Sequence, residues 1–183
     1  DTSHATGSPR HPDVNGLHGD AYRFETNAHC TIRKAIRMIQ PRKDDVVIEV
    51  GCGKGRTVCH FSRLPIKKVI GIEISKELSE VAMLNTKRLR GRQAPIEIRN
   101  QDARSASYGE GTLFFLFNPF GPKTMKAVLD KIAESHLCAC KQARFIYLNP
   151  TCSEVFDSFS WIKKTGEYTT PRGLRMVIFE TCY

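Results

Sequence analysis

The sequence has no apolar run approaching the ~18 residues that a membrane-spanning helix requires. Its longest candidate, Leu113 to Phe117 with its flanks, has the length of a buried strand. It also lacks the paired CxxC or HxxxH spacing of zinc and redox sites, so no metal is expected; Cys138 and Cys140 are separated by a single residue. The seven cysteines, Cys30, Cys52, Cys59, Cys138, Cys140, Cys152 and Cys182, are an odd number without the density of a disulfide scaffold. They are read as reduced, small apolar residues, and the compartment as cytoplasmic. Internal repeats and low-complexity tracts are missing, and nothing in the first twenty residues has the apolar core of a secretory signal.

What is present is an ordinary globular composition: 183 residues, 40% hydrophobic and 26% charged. A chain of this size forms one domain and hides about two thirds of its unfolded surface. The first twenty residues, rich in Gly, Pro, Ser, Asp and His, read as a flexible N-terminal arm, and residues 21–183 as a single domain. His4, His11 and His18 in the arm fit neither a helix face nor a metal clip. The formal charge of +9 raises the expectation of an anionic partner, nucleic acid first. Basic residues gather in two clusters, Arg33, Lys34, Arg37, Arg42 and Lys43, then Lys87, Arg88, Arg90 and Arg92. Neither has the aromatic interleaving of a single-strand groove, so nucleic acid is indicated by charge alone.

Periodicity organises the rest. Asn27 to Gln40 has the helical spacing of Ile32, Ala35, Ile36 and Ile39 and stops at Pro41. Short apolar runs at Asp45 to Val50, Val69 to Ile74, Ile96 to Arg99, Thr112 to Phe117 and Arg144 to Leu148 read as strands, with helices expected over Ser75 to Gly91, Lys123 to Leu137 and Ser153 to Ser158. Strands alternating with helices demand a parallel sheet covered on both faces. Trp161 to Tyr168 and Leu174 to Thr181 follow with no helix between them, which closes the sheet with an antiparallel hairpin. The expected fold is α/β, a doubly wound, seven-stranded, mainly parallel sheet in a three-layer sandwich.

The first strand runs into Glu49-Val50-Gly51-Cys52-Gly53-Lys54-Gly55. Strand, glycine turn and helix let the backbone approach a ligand closely and offer a helix N-terminus to negative charge. A dinucleotide fingerprint would need glycine at position 56, where Arg56 stands. The G-x-G-x-G spacing behind Glu49 resembles the first motif of class I S-adenosylmethionine-dependent methyltransferases, and the likeness runs from about Tyr22 to Tyr183. It is strongest to the small, bacterial-type members that carry GCGKGR and FNPFG segments. That resemblance implies S-adenosyl-L-methionine as cofactor and S-adenosyl-L-homocysteine as product. It places Glu49, Gly51, Cys52, Gly53 and Gly55 at the methionine part, Glu73 with Ile74 at the ribose hydroxyls, and Asp102 with Ala103 at the adenine. Lys54 and Arg56 read as surface charges or as contacts to an anionic substrate.

After the fourth strand, Asn118-Pro119-Phe120-Gly121 resembles the Asn/Asp-Pro-Pro-aromatic signature of enzymes that methylate planar amino nitrogens, with Phe120 where the second proline belongs and Gly121 where the aromatic belongs. Asn118, Pro119 and Phe120 are therefore the expected catalytic segment, with Asn118 also facing the cofactor. The alternative is a structural turn in which Asn118 caps, Pro119 ends the strand and Phe120 packs in the core. Asn149-Pro150 reads as a strand terminator. Tyr22, Phe24 and Thr26 form either a lid over the cofactor, with Tyr22 and Thr26 touching it, or a hydrophobic staple. The implied activity is methyl transfer to a nucleophile, nitrogen favoured, on a small molecule, an RNA or a protein. A nicotinamide-dependent oxidoreductase and a non-catalytic cofactor-binding module are the competing readings.

Overall fold

The computed structural model describes residues 20, 25, 27–137, 139–171 and 173–182. Helix α1 (His29–Ile39) precedes strand β1 (Val46–Val50). Then come α2 (Arg56–Phe61), β2 (Lys68–Glu73), α3 (Lys76–Arg88), β3 (Ile96–Asn100), a 3₁₀ turn over Ala103–Ser105 and β4 (Leu113–Phe117). The chain ends with α4 (Pro122–His136), β5 (Arg144–Leu148), α5 (Ser153–Asp157), β6 (Ile162–Thr169) and β7 (Arg175–Thr181).

The seven strands form one sheet in the order β3-β2-β1-β4-β5-β7-β6. The first five run parallel, whereas β7 pairs antiparallel with β5 and β6. This is the doubly wound fold with a closing hairpin that the sequence pattern implies. The order reverses between β1 and β4, so a crevice opens beyond their carboxyl ends, where open α/β sheets bind ligands.

The central strands are apolar on both faces because helices cover both. Ile48, Val50, Phe114, Leu116, Phe145 and Tyr147 point into one core beneath α4 and α5. Val47, Leu113, Phe115, Ile146 and Leu148 point into the other, with Ala35 and Ile39 of α1, Val58 and Phe61 of α2 and Ala82 of α3. At the amino ends of the strands Asp45 is 2.5 Å from Arg144 and accepts from the Thr112 hydroxyl at 2.7 Å, tying β1, β4 and β5 together.

Element boundaries shift from expectation by one to three residues. Helix α3 stops at Arg88, because Leu89 turns extended and Gly91 takes a left-handed φ of 72°. The hairpin strand starts at Ile162, one residue late, with a register shift between Lys164 and Gly166. The expected N-terminal arm lies outside the described residues except for Asp20.

Candidate active site

Gly51, Gly53 and Gly55 have φ of 78°, 52° and 78°, a left-handed succession that only glycine adopts without strain. The turn is anchored to the neighbouring strand by the N–H groups of Gly51 and Cys52, both donating to the Ile72 carbonyl at 2.9 Å. Cys52 is buried, and its sulfur occupies the space above Gly71, where a Cβ would lie 2.8 Å from it. Burial pushes the Cys52 thiol up, so the side chain is a packing element rather than a nucleophile. Asn85 of α3 holds the turn from above through its amide N–H to the Lys54 carbonyl at 3.0 Å.

Two carboxylates flank this turn below the surface. Glu49, 5% exposed, accepts from the Val58 N–H at 3.0 Å and so caps α2 from the preceding strand. Burial, opposed by the Thr57 hydroxyl and the Val58 N–H, raises Glu49 to about 8. Glu73, 7% exposed, accepts from the Gly53 N–H at 2.7 Å with one oxygen and from the Ser75 N–H at 2.9 Å with the other. Burial raises it as well, against those same N–H groups. The Ile74 backbone is a third hydrogen-bond partner of this carboxylate, which retains acceptor capacity for a ligand hydroxyl. Ile74 follows, and its carbonyl and that of Glu73 accept from the Asn100 amide at 3.0 Å.

Asp102 and Ala103 lie just beyond β3, with Asp102 capping the 3₁₀ turn through the Arg104 N–H at 2.8 Å. The Arg104 guanidinium holds the Asp102 carboxylate at 2.6 Å. Asp102 thus stands at the strand end where sequence places it, with its carboxylate already engaged by a neighbour. The Ala103 carbonyl accepts from the Tyr108 hydroxyl at 2.7 Å.

The Asn-Pro segment meets the glycine turn directly, for a Cβ on Gly51 would lie 2.8 Å from Pro119 Cβ. Asn118 sits at φ 39° and Asn149 at φ 48°, so both Asn-Pro turns at the ends of β4 and β5 use the left-handed conformation that asparagine tolerates. They are joined, since the Thr151 hydroxyl donates to Asn118 Oδ1. Asn118 and Pro119 are half-buried at the crevice, whereas Phe120 is only 5% exposed and belongs to the core under α4. Phe120 therefore has the packing position of the structural alternative and offers no open face for stacking.

Sequence reasoning missed three supports of this site. Asp20 accepts from the N–H groups of Lys123 and Thr124 at 3.1 and 3.2 Å and from the Thr124 hydroxyl, capping α4, whose own N-cap Gly121 has no side chain. Thr151 orients Asn118. Arg56 reaches across to the Asn27 carbonyl at 2.8 Å. All three are long-range pairings with no local periodicity or motif to announce them. Tyr22, Phe24 and Thr26, the expected lid, lie outside the described residues. Among the described residues no three His, Cys, Asp or Glu side chains are grouped to hold a metal, and no helix is long and apolar enough to cross a membrane.

The turn thus gathers a buried carboxylate, side-chain-free backbone and a half-buried polar side chain at the carboxyl ends of the strands. Residues 47–135 match the family model for a methyltransferase domain. Among curated proteins none matches. The fold is similar to that of an RNA methyltransferase from Salinibacter ruber in complex with S-adenosyl-L-homocysteine, at TM-score 0.68 and 18% identity over 86% of this chain and 94% of that one. It is also similar to ribosomal protein L11 methylase from Lactobacillus delbrueckii subsp. bulgaricus, at 0.64 and 17% over 86% and 81%. Magnesium protoporphyrin IX methyltransferase from Synechocystis PCC 6803 with bound SAM matches at 0.61 and 14% over 84% and 77%. Residues 47–135 thus resemble a methyltransferase domain, and the chain shares the Rossmann-like fold of these solved methyltransferases.

Proposed function

We propose that this protein binds S-adenosylmethionine across the carboxyl ends of β1, β2 and β3 and transfers its methyl group to a nucleophile held beside Asn118. The observation that carries the proposal is the close approach of Gly51 and Pro119, which brings the expected cofactor turn and the expected acceptor segment side by side at the carboxyl ends of β1 and β4. Bound there, S-adenosylmethionine supplies an electrophilic methyl group on a sulfonium.

The protein's own task is then alignment, because such a displacement needs nucleophile, methyl and leaving sulfur in line and no compulsory acid–base pair. Glu73 holds the ribose, the Gly51–Gly53 backbone borders the methionine moiety, and Asp102 with Ala103 borders the adenine. Asn118 Oδ1, steadied by Thr151, keeps a lone pair to accept from an amino group, which is why nitrogen is the favoured nucleophile. The acceptor classes are RNA, a protein side chain and a small molecule. The neighbours named for RNA, ribosomal protein and a porphyrin show that one fold serves all three. The odd number and scatter of the seven cysteines support reading the compartment as cytoplasmic. The test is transfer of labelled methyl from S-adenosylmethionine to fractionated cell extract: label retained in one fraction and lost with Asn118→Ala is expected, and no incorporation into any fraction would contradict the proposal.

A further inference from the structure

The net positive charge of the protein is concentrated in one segment. Residues 29–95 contain fifteen of the 28 Lys and Arg but only six of the 19 Asp and Glu, leaving thirteen of each elsewhere. The whole formal charge of +9 therefore resides in the segment that builds α1, α2, α3 and the two inner strands beneath them. Three of its six acids, Asp45, Glu49 and Glu73, are buried, so the surface is more one-sided than the sequence.

The basic side chains form one continuous field. Arg33 and Arg37 are exposed on α1, Arg63 after α2, and Arg88, Arg90 and Arg92 at and beyond the end of α3. The Arg63 guanidinium reaches the Arg90 carbonyl at 3.5 Å, and the Gln93 amide donates to the Arg63 carbonyl at 2.7 Å, so the turns after α2 and α3 are stitched together. Between α1 and α2 the His29 and His60 rings touch at 2.7 Å. Burial first, then His29 and the charges of Arg63, Arg33 and Arg56, lower His60 to about 4. On the opposite face lysines meet carboxylates: Lys126 with Asp130 at 2.9 Å and Lys131 with Glu134 at 2.7 Å.

We infer that the α1–α2–α3 face docks the phosphate backbone of double-helical RNA. Charge complementarity supplies the attraction. The form of the RNA follows from how few rings the face offers: Phe61 is fully buried, the Tyr168 ring lies under the Lys34 ammonium at 4.3 Å, and the His29 and His60 rings are engaged with each other, so the face has no row of open rings for a run of unstacked bases. All three helices pack on the sheet through buried residues, and among the described residues no element projects to enter the major groove of B-form DNA. A flat basic surface instead suits the wide, shallow minor groove of an A-form duplex, bordered by two rows of phosphates. Arg56, at the start of α2 behind the glycine turn, joins this face to the crevice.

The inference deepens the methyltransferase reading by naming a class of acceptor, but its test uses binding alone. The full chain is titrated by fluorescence anisotropy against a labelled 20-base-pair RNA duplex, the same sequence as DNA duplex and as single-stranded RNA, and vesicles containing anionic lipid. The expected result is tightest binding to the RNA duplex. Replacing Arg33→Gln, Arg37→Gln, Arg88→Gln and Arg92→Gln together should weaken it at least about tenfold and reduce the salt slope by roughly four, one per lost phosphate contact. Lys126→Gln with Lys131→Gln should change nothing, and adenosylhomocysteine affinity, measured in parallel, should stay constant in every variant. If the fourfold variant melts early, the pairs Arg33→Gln/Arg37→Gln and Arg88→Gln/Arg92→Gln are each expected to give a share of the loss. Equal effects from both faces, or preference for DNA, single strands or vesicles, would overturn the inference. Loss of adenosylhomocysteine binding by the unaltered protein would instead count against the methyltransferase reading.

Discussion

Gly51 and Pro119 face each other so closely that a methyl group on Gly51 would lie 2.8 Å from Pro119 Cβ. Gly51 also stands at φ 78°. Gly51→Ala should therefore destabilise through both strain and collision, whereas Gly91→Ala, at φ 72° with nothing within 4 Å, meets strain alone. Strain of this kind costs about 1–3 kcal/mol. Thermal denaturation should show a larger loss for Gly51→Ala than for Gly91→Ala, and only the former should weaken adenosylhomocysteine binding. Equal losses would mean that the approach of the two segments is loose.

Glu73 serves the loop and the ligand at once, since its oxygens accept from Gly53 and Ser75. Glu73→Ala should weaken adenosylhomocysteine binding by about 1–3 kcal/mol, the cost of charged hydrogen bonds lost. Glu73→Gln should not restore it, because an amide NH2 must then point at one of two N–H donors. Calorimetry on both variants checks this, and an unchanged dissociation constant in either would place Glu73 away from the cofactor.

The raised position of Glu49 carries a pH dependence. Its carboxyl moves from 4.5 to about 8 on folding, so the folded state holds a proton that the unfolded state releases between those values. The corresponding stability is complete below about pH 4.5 and falls as pH rises through about 8. Denaturant titrations from pH 5 to 8 should show this decline in the unaltered protein and a flatter profile in Glu49→Gln. A profile of identical slope in both would show that Glu49 is ionised in the fold.

Asn118 separates chemistry from architecture, because its side chain is held by Thr151 and its backbone by a left-handed turn. Asn118→Ala should leave adenosylhomocysteine affinity near that of the unaltered protein. It should lower single-turnover methylation of the acceptor at least about tenfold, equivalent to roughly 1.4 kcal/mol. Thr151→Val should give a smaller loss of the same kind. A lower melting temperature with normal turnover per folded molecule would make Asn118 a turn residue only.

The layered sheet, its closing hairpin and the glycine turn were legible in sequence because each rests on local pattern: apolar runs buried on both faces, a helix-free final pair of strands, three glycines behind a strand. The limits of that legibility are equally physical. Sequence left Phe120 open between the catalytic segment and the core, and the β4–α4 turn buries it in the core. Asp20 precedes the helix it caps by about a hundred residues, and Thr151 meets Asn118 only because β4 and β5 are neighbours. The one-sided charge was visible as two clusters, but only the fold shows that Arg63 and Arg90 join them.

The most direct test of the account is ligand choice at the glycine turn. Isothermal titration of the full chain with S-adenosylhomocysteine and, separately, with NADH distinguishes the two nucleotide-binding chemistries that such a turn serves. The G-x-G-x-G spacing, with Arg56 where a dinucleotide fingerprint has glycine, and the Glu73 carboxylate beneath it predict micromolar-range binding of S-adenosylhomocysteine and none of NADH. Binding of NADH without binding of S-adenosylhomocysteine would contradict it.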